Sequence, residues 1–253
     1  MFEIPITFKA PKAYIENNKD ILPIPSKLNI PEWFKKLGHD ISVLTVKGCV
    51  PFLESLTAGY ILKCPTDYSI EHNTILDGKK ICGFTTPINR EVLGKEFNLN
   101  YHGEKQMHNI EQLEGSPLVE KNMNQPFHKI MNPWVIKTPP GYSCLFVPPL
   151  NNTDDRFSII PAIVDTDTFK IEINFPIVIN GDKYKSLKTT IERGTPLVQI
   201  IPFKRESWKM KIEPGNVKER EEDGFFYRKK LLHNYKQFIW SKKIWMKKEI
   251  KML

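Results

Sequence analysis

Apolar and polar positions alternate most regularly between Asn132 and Phe203. Three apolar, β-rich runs stand there, NPWVIKTPPGYSCLFVPPLNN, FSIIPAIVDTDTFKIEINFPIVIN and IERGTPLVQIIPF, punctuated by Pro-Gly, Asn-Asn and Arg-Gly pairs. The pattern predicts strands over 134–136, 143–147, 157–165, 169–179, 187–191 and 197–203. The Asp-Thr-Asp-Thr corner at 165–168 separates the third from the fourth. Asn180-Gly181 reads as a tight hairpin turn. Many short strands with turn chemistry about every ten residues argue for an antiparallel sandwich or barrel.

The flanks read differently. Residues 1–40 carry Pro5, Pro11, Pro23, Pro25 and Pro31. Proline removes a donor and fixes φ, so an extended arm is expected, ending in a short helix at PEWFKKL. Residues 41–203 form the expected β-rich core. Its start predicts a strand over 41–46, then a short helix ending before Gly59. A hairpin over 69–84 is expected to turn at Asp77-Gly78. Residues 85–131 predict loops and one short helix near 110–113. Residues 204–224 read as a charged linker. Over 225–253, apolar residues recur at helical spacing among lysines, which predicts a basic amphipathic helix.

Charge sharpens this division. The 253-residue chain has a net charge of +8. From Lys204 onward there are 15 Lys+Arg against 7 Asp+Glu, again +8, so residues 1–203 are neutral. Any acidic partner is therefore expected at the tail, where Lys236, Lys243, Lys247 and Trp245 are candidate contacts to nucleic acid or an anionic surface. No apolar run approaches the roughly 20 residues of a membrane span. The N-terminus lacks the pattern of a secretory signal, and the four cysteines show no CxxC spacing, so a reducing, cytoplasmic setting is expected. His102, His108 and His128 lack the local spacing of a metal site, so no metal ligands and no cofactor are predicted.

The order of core motifs resembles the trimeric dUTPase and dCTP-deaminase fold, an all-β nucleotide-binding scaffold. Thr138-Pro139-Pro140-Gly141-Tyr142 is similar to its turn entering a strand, and Val147-Pro148-Pro149-Leu150-Asn151 stands at its phosphate loop. Residues 162–169, AIVDTDTF, are similar to its aspartate corner, and residues 191–200, IERGTPLVQI, to its later Gly…Gln strand. The resemblance implies a β-clip or jelly-roll barrel, a homotrimer and a nucleotide ligand. It casts Asp165 or Asp167 as the catalytic carboxylate, with Phe169, Gln199 and Tyr142 against the ligand, and Mg²⁺ if the protein hydrolyses nucleotides. The phosphate loop lacks the family's Ser-Gly, and the glycine-rich C-terminal arm is replaced by a basic aromatic segment.

Across most of the length, IPEWFKKL, TVKGCVPFLESLTAGYIL, NPWVIKTPPGYS, VDTDTF, GTPLVQIIPFKRESWK and YKQFIWSKKIW resemble a protein family of tailed phages and some bacteria, which supplies no reaction. This implies host cytoplasm or virion as the location. The combined expectation is a mainly β, non-enzymatic protein that binds a partner or small ligand. The alternatives are a deoxynucleotide enzyme and a nucleic-acid or membrane-surface binder acting through the C-terminal helix.

Overall fold

The computed structural model describes residues 4–40, 42–85, 107–218, 221, 224, 235–236 and 239–246. Their strands in chain order are β1 (Thr7–Lys9), β2 (Ile24–Pro25), β3 (Tyr60–Lys63), β4 (Tyr68–Leu76), β5 (Lys79–Thr85), β6 (Met107–His108) and β7 (Phe127–Ile130). They continue with β8 (Val135–Lys137), β9 (Tyr142–Val147), β10 (Phe157–Ile159), β11 (Ala162–Val164), β12 (Phe175–Ile179), β13 (Leu187–Ile191) and β14 (Pro196–Lys204). Short helices α1 (Lys12–Asn17), α2 (Glu32–Lys36), α3 (Val50–Thr57) and α4 (Pro117–Lys121) fill the connections.

The protein is mainly β, as its alternation predicts, and every described strand pair is antiparallel. The sheets have the orders β11-β9-β14-β3-β2, β10-β12-β7-β6, β13-β4-β5 and β1-β8. None of these closes on itself, so the expected closed barrel is not what the described residues form. Strand β14 is the spine. It pairs with β9 on one side and β3 on the other, and Leu197, Val198 and Ile200 lie within the core. Phe146 joins them from the neighbouring strand β9, and Ile70, Ile130, Ile136, Ile177 and Ile191 from the other sheets, burying apolar area that drives the sheets together.

The N-terminal arm is packed rather than loose. Tyr14 is buried edge-on against Trp134, and Arg193 ties the arm to the core through Asp20 and Asn18. Helix α2 forms where PEWFKKL predicts it, with Phe34 buried and stacked on Phe52 of α3 at 5.9 Å.

Of the run predicted over 169–179 only 175–179 is a strand, and three further expectations fail for local reasons. No strand forms over 42–46, because the Asp40 carboxylate accepts from Ser42 N, Ser42 Oγ and Val43 N and turns the chain. The run 157–165 splits into β10 and β11, which lie in different sheets. Pro161 has no N–H to give a continuous ladder, and Ile160 N donates across to Pro176 O. Asn180-Gly181 makes no hairpin, since β13 pairs with β4 and not with β12. Gly181 N instead donates to Lys121 O, at the end of α4.

The expected long C-terminal helix lies mostly outside the described residues. Tyr235 and Lys236 are helical, but 240–246 carry no regular structure. Contacts with the body hold that stretch: Tyr60 Oη donates to Met246 O, and Trp245 meets the Tyr60 ring edge-on. Tertiary contact overrides helical propensity there. No helix among the described residues is long and apolar enough to cross a membrane.

Candidate functional site

The Asp-Thr-Asp-Thr corner is a tight turn after β11. Thr168 N and Phe169 N both donate to Asp165 O, at 3.0 and 2.9 Å. Thr166 points inward, its Oγ1 2.7 Å from Thr138 Oγ1, and anchors the corner to the Pro-Pro-Gly turn. This alternation sends Asp165 and Asp167 to the other side, toward the same cation, Arg205. The Arg205 guanidinium forks onto Asp167, with Nη1 2.8 Å from Oδ1, and reaches Asp165 Oδ1 at 3.2 Å. Gly141 N adds a 2.8 Å bond to Asp167 Oδ2, and Ser143 Oγ donates to Asp165 Oδ1 at 2.6 Å. Arg205 N donates to Gly141 O, closing the ring from the other side.

The electrostatics follow from that ring. The Arg205 guanidinium, then the Gly141 N–H, pull the Asp167 carboxyl down to about 2. Its side chain is only 6% exposed, whereas that of Asp165 is 59% exposed. A general base works best with a pKa near the operating pH, and a carboxylate held this low in a bidentate pair is a weak one. Tyr142 belongs to the same corner through its carbonyl, which accepts from Thr138 Oγ1 at 3.1 Å. Phe169 is partly exposed, and its carbonyl accepts from Lys137 Nζ.

Gln199 lies elsewhere. It pairs with Val147, five residues along β14 from the Lys204–Tyr142 pair beside the corner, or roughly 16 Å of strand. Its amide is 1% exposed and fully engaged: Oε1 accepts from Leu150 N, and Nε2 donates to Ser55 O and Ala58 O. The structure thus gathers Asp165, Asp167 and Tyr142 and leaves Gln199 apart, as a clip between β14 and the end of α3. Of the tail candidates, Lys243 is paired with Glu54 at 2.7 Å and Trp245 packs on Tyr60. Lys236 is exposed, and Lys247 lies outside the described residues.

A second polar cluster escaped the sequence reading. His72 on β4, Cys82 on β5 and His128 on β7 converge where two sheets meet. His72 Nδ1 is 3.1 Å from His128 Nε2, and Cys82 Sγ is 3.4 Å from the first and 3.5 Å from the second. Burial drives both imidazoles toward the neutral form, His128 down to about 3, and pushes the Cys82 thiol up to about 11. His102 lies outside the described residues, and His108 bonds the Gln112 side chain at 2.6 Å.

The chain was compared with known protein families and with curated proteins, and it matches none of them.

Proposed function

We propose that this protein is a non-enzymatic binding protein, and that its binding element is the segment after β14, which adds a strand to a second copy of the chain. One observation carries this reading. Residues 206–216 carry no regular structure, and Trp208, Met210 and Ile212 are 88%, 83% and 85% exposed. They alternate with Lys209, Lys211 and Glu213, so an extended chain places all three apolar side chains on one face. The described residues give 207–213 no hydrogen bond to the body, which leaves its backbone groups to pair elsewhere.

The acceptor on this reading is β11. It is the edge of the five-stranded sheet, and its Ile163 is 64% exposed. Edge strands with apolar faces are templates for strand addition. Arm and edge are different surfaces of one chain, so the contact is heterologous and closes into a ring only if its rotation does. A homotrimer is the ring that a dUTPase-like core implies. Burying Trp208, Met210 and Ile212 contributes about 5–8 kcal/mol before the cost of association.

The aspartate corner supports a binding role over a catalytic one, because Arg205 already occupies both carboxylates. Arg205 also fixes the root of the arm, so the same ion pair that closes the corner aims the segment that follows. The experiment is cross-linking in a Cys49→Ser background, which removes the exposed native thiol. Two chains, one with Ile163→Cys and one with Met210→Cys, are mixed and treated with a short bis-maleimide. A dimer that forms in the mixture and in neither chain alone is expected. Equal cross-linking in all three samples, or none in any, contradicts the reading.

A further inference from the structure

The His72–Cys82–His128 cluster has the geometry of a metal site, and its construction begins with one irregular residue. In the β4–β5 hairpin, Leu76 pairs with Lys79, Ile75 with Lys80 and Thr74 with Ile81. A regular ladder would next set Asn73 opposite Cys82. Instead the register slips between His72 and Thr74, and His72 stands opposite Cys82. Asn73 absorbs the slip at φ 51°, a left-handed conformation that Asn tolerates, and its Nδ2 donates to Lys185 O at 2.7 Å. A β-bulge of this kind re-aims a side chain. Here it turns an imidazole and a thiol toward each other on neighbouring strands.

Hydrogen bonding then fixes the imidazole. His72 Nε2 lies 3.0 Å from Asn122 O, a carbonyl that can only accept, so Nε2 carries the proton and Nδ1 presents a bare lone pair. Asn122 is held in turn: its Nδ2 donates to Gln125 O and Pro126 O, and its Oδ1 accepts from Ile179 N. An N–H donated to a carbonyl behind the ring is how metal-ligating histidines are oriented. One in-plane lone pair accepts one good hydrogen bond, yet His128 Nε2 and Cys82 Sγ both converge on it. Three atoms that approach each other pairwise also have the arrangement of one face of a coordination polyhedron.

The distances match that face. Zinc–nitrogen bonds of about 2.05 Å and a zinc–sulfur bond of about 2.3 Å at tetrahedral angles give edges of about 3.3 Å N···N and about 3.6 Å N···S. The three measured edges are 3.1, 3.4 and 3.5 Å. Two imidazoles and a thiolate are borderline-to-soft donors, the set that suits zinc and not magnesium or calcium.

We infer that His72 Nδ1, Cys82 Sγ and His128 Nε2 bind a zinc ion that staples the β4–β5 hairpin to β7, with the fourth position taken by water. Binding sends the Cys82 thiol proton to solvent and leaves both imidazoles neutral, with His128 protonated on Nδ1. Cys82 is partly exposed, which gives the ion a way in. The cluster joins two sheets that share no strand, so the ion acts as a cross-link of the fold.

The test uses the full chain, purified without a metal-affinity tag, with metal content read by plasma mass spectrometry. The expected result is about one zinc per chain. Stripped protein titrated with Co²⁺ is expected to develop visible d–d bands together with a near-ultraviolet thiolate charge-transfer band. Cys82→Ser, which keeps the side chain's size, is expected to lower zinc affinity about 10–100-fold and abolish the near-ultraviolet band. Chelator is expected to lower the wild-type melting temperature by about 5–10 °C. Zinc far below the chain concentration with no cobalt spectrum would overturn the inference and leave a hydrogen-bonded triad. An unchanged charge-transfer band in Cys82→Ser would overturn it too. Should that variant fail to fold, the wild-type metal content and cobalt spectrum decide alone.

Discussion

A single side chain, Arg205, decides what the aspartate corner can do. The two aspartates stood out in the sequence because their corner, AIVDTDTF, resembles a family motif. Their cation was not legible. It lies 38 residues beyond Asp167, in a stretch whose charge pattern reads as solvated linker. Its effect is measurable. The Asp167 carboxyl is held at about 2 against an ordinary value of 3.8, so its contribution to stability is complete above the ordinary value and is lost as pH falls from about 4 to about 2. Wild-type protein is expected to lose melting temperature through that window. Asp167→Asn is expected to melt lower than wild type at neutral pH, with the difference shrinking as pH falls through the same range. A difference that stays constant from pH 7 to pH 2 would show that the pair contributes nothing. Gln199 makes the complementary point: the resemblance implied a ligand contact, but its amide is consumed by three backbone groups.

At the scale of elements, some local signals held, as at 50–57 and Asp77-Gly78, and others failed, as at 42–46 and Asn180-Gly181. The helix over 50–57 and its stop were legible because Gly59 follows as a left-handed residue, with φ +67°. What the sequence concealed is how little room that residue has. A Cβ on Gly59 would stand 1.9 Å from Ile200 O, on the central strand. Gly59→Ala is therefore expected to cost at least about 3 kcal/mol in urea unfolding, from the left-handed strain and the backbone collision together. A loss under about 1 kcal/mol would mean that the α3–β3 junction shifts freely against β14. The Asp77-Gly78 turn was equally plain, but the bulge at Asn73 was not, since any Asn in a strand pattern reads as an ordinary polar position. That one slip set the partner of Cys82, which is why spacing along the chain, 72, 82 and 128, gave no hint of a cluster.

At the scale of the whole molecule, the described residues of the basic tail rest on the body of packed sheets through Lys243, Trp245 and Met246. Between them lies the one described stretch that presents three large apolar side chains almost wholly to solvent. Three large apolar side chains so exposed within five residues point to a contact surface. The most direct measurement is the mass of the protein in solution by light scattering across a dilution series, for wild type beside the triple variant Trp208→Ser, Met210→Ser, Ile212→Ser. The account predicts a wild-type mass that rises with concentration to a closed oligomer, and a variant that stays a monomer with an unchanged melting temperature. A wild type that remains monomeric throughout, or a variant that assembles as wild type does, would contradict it.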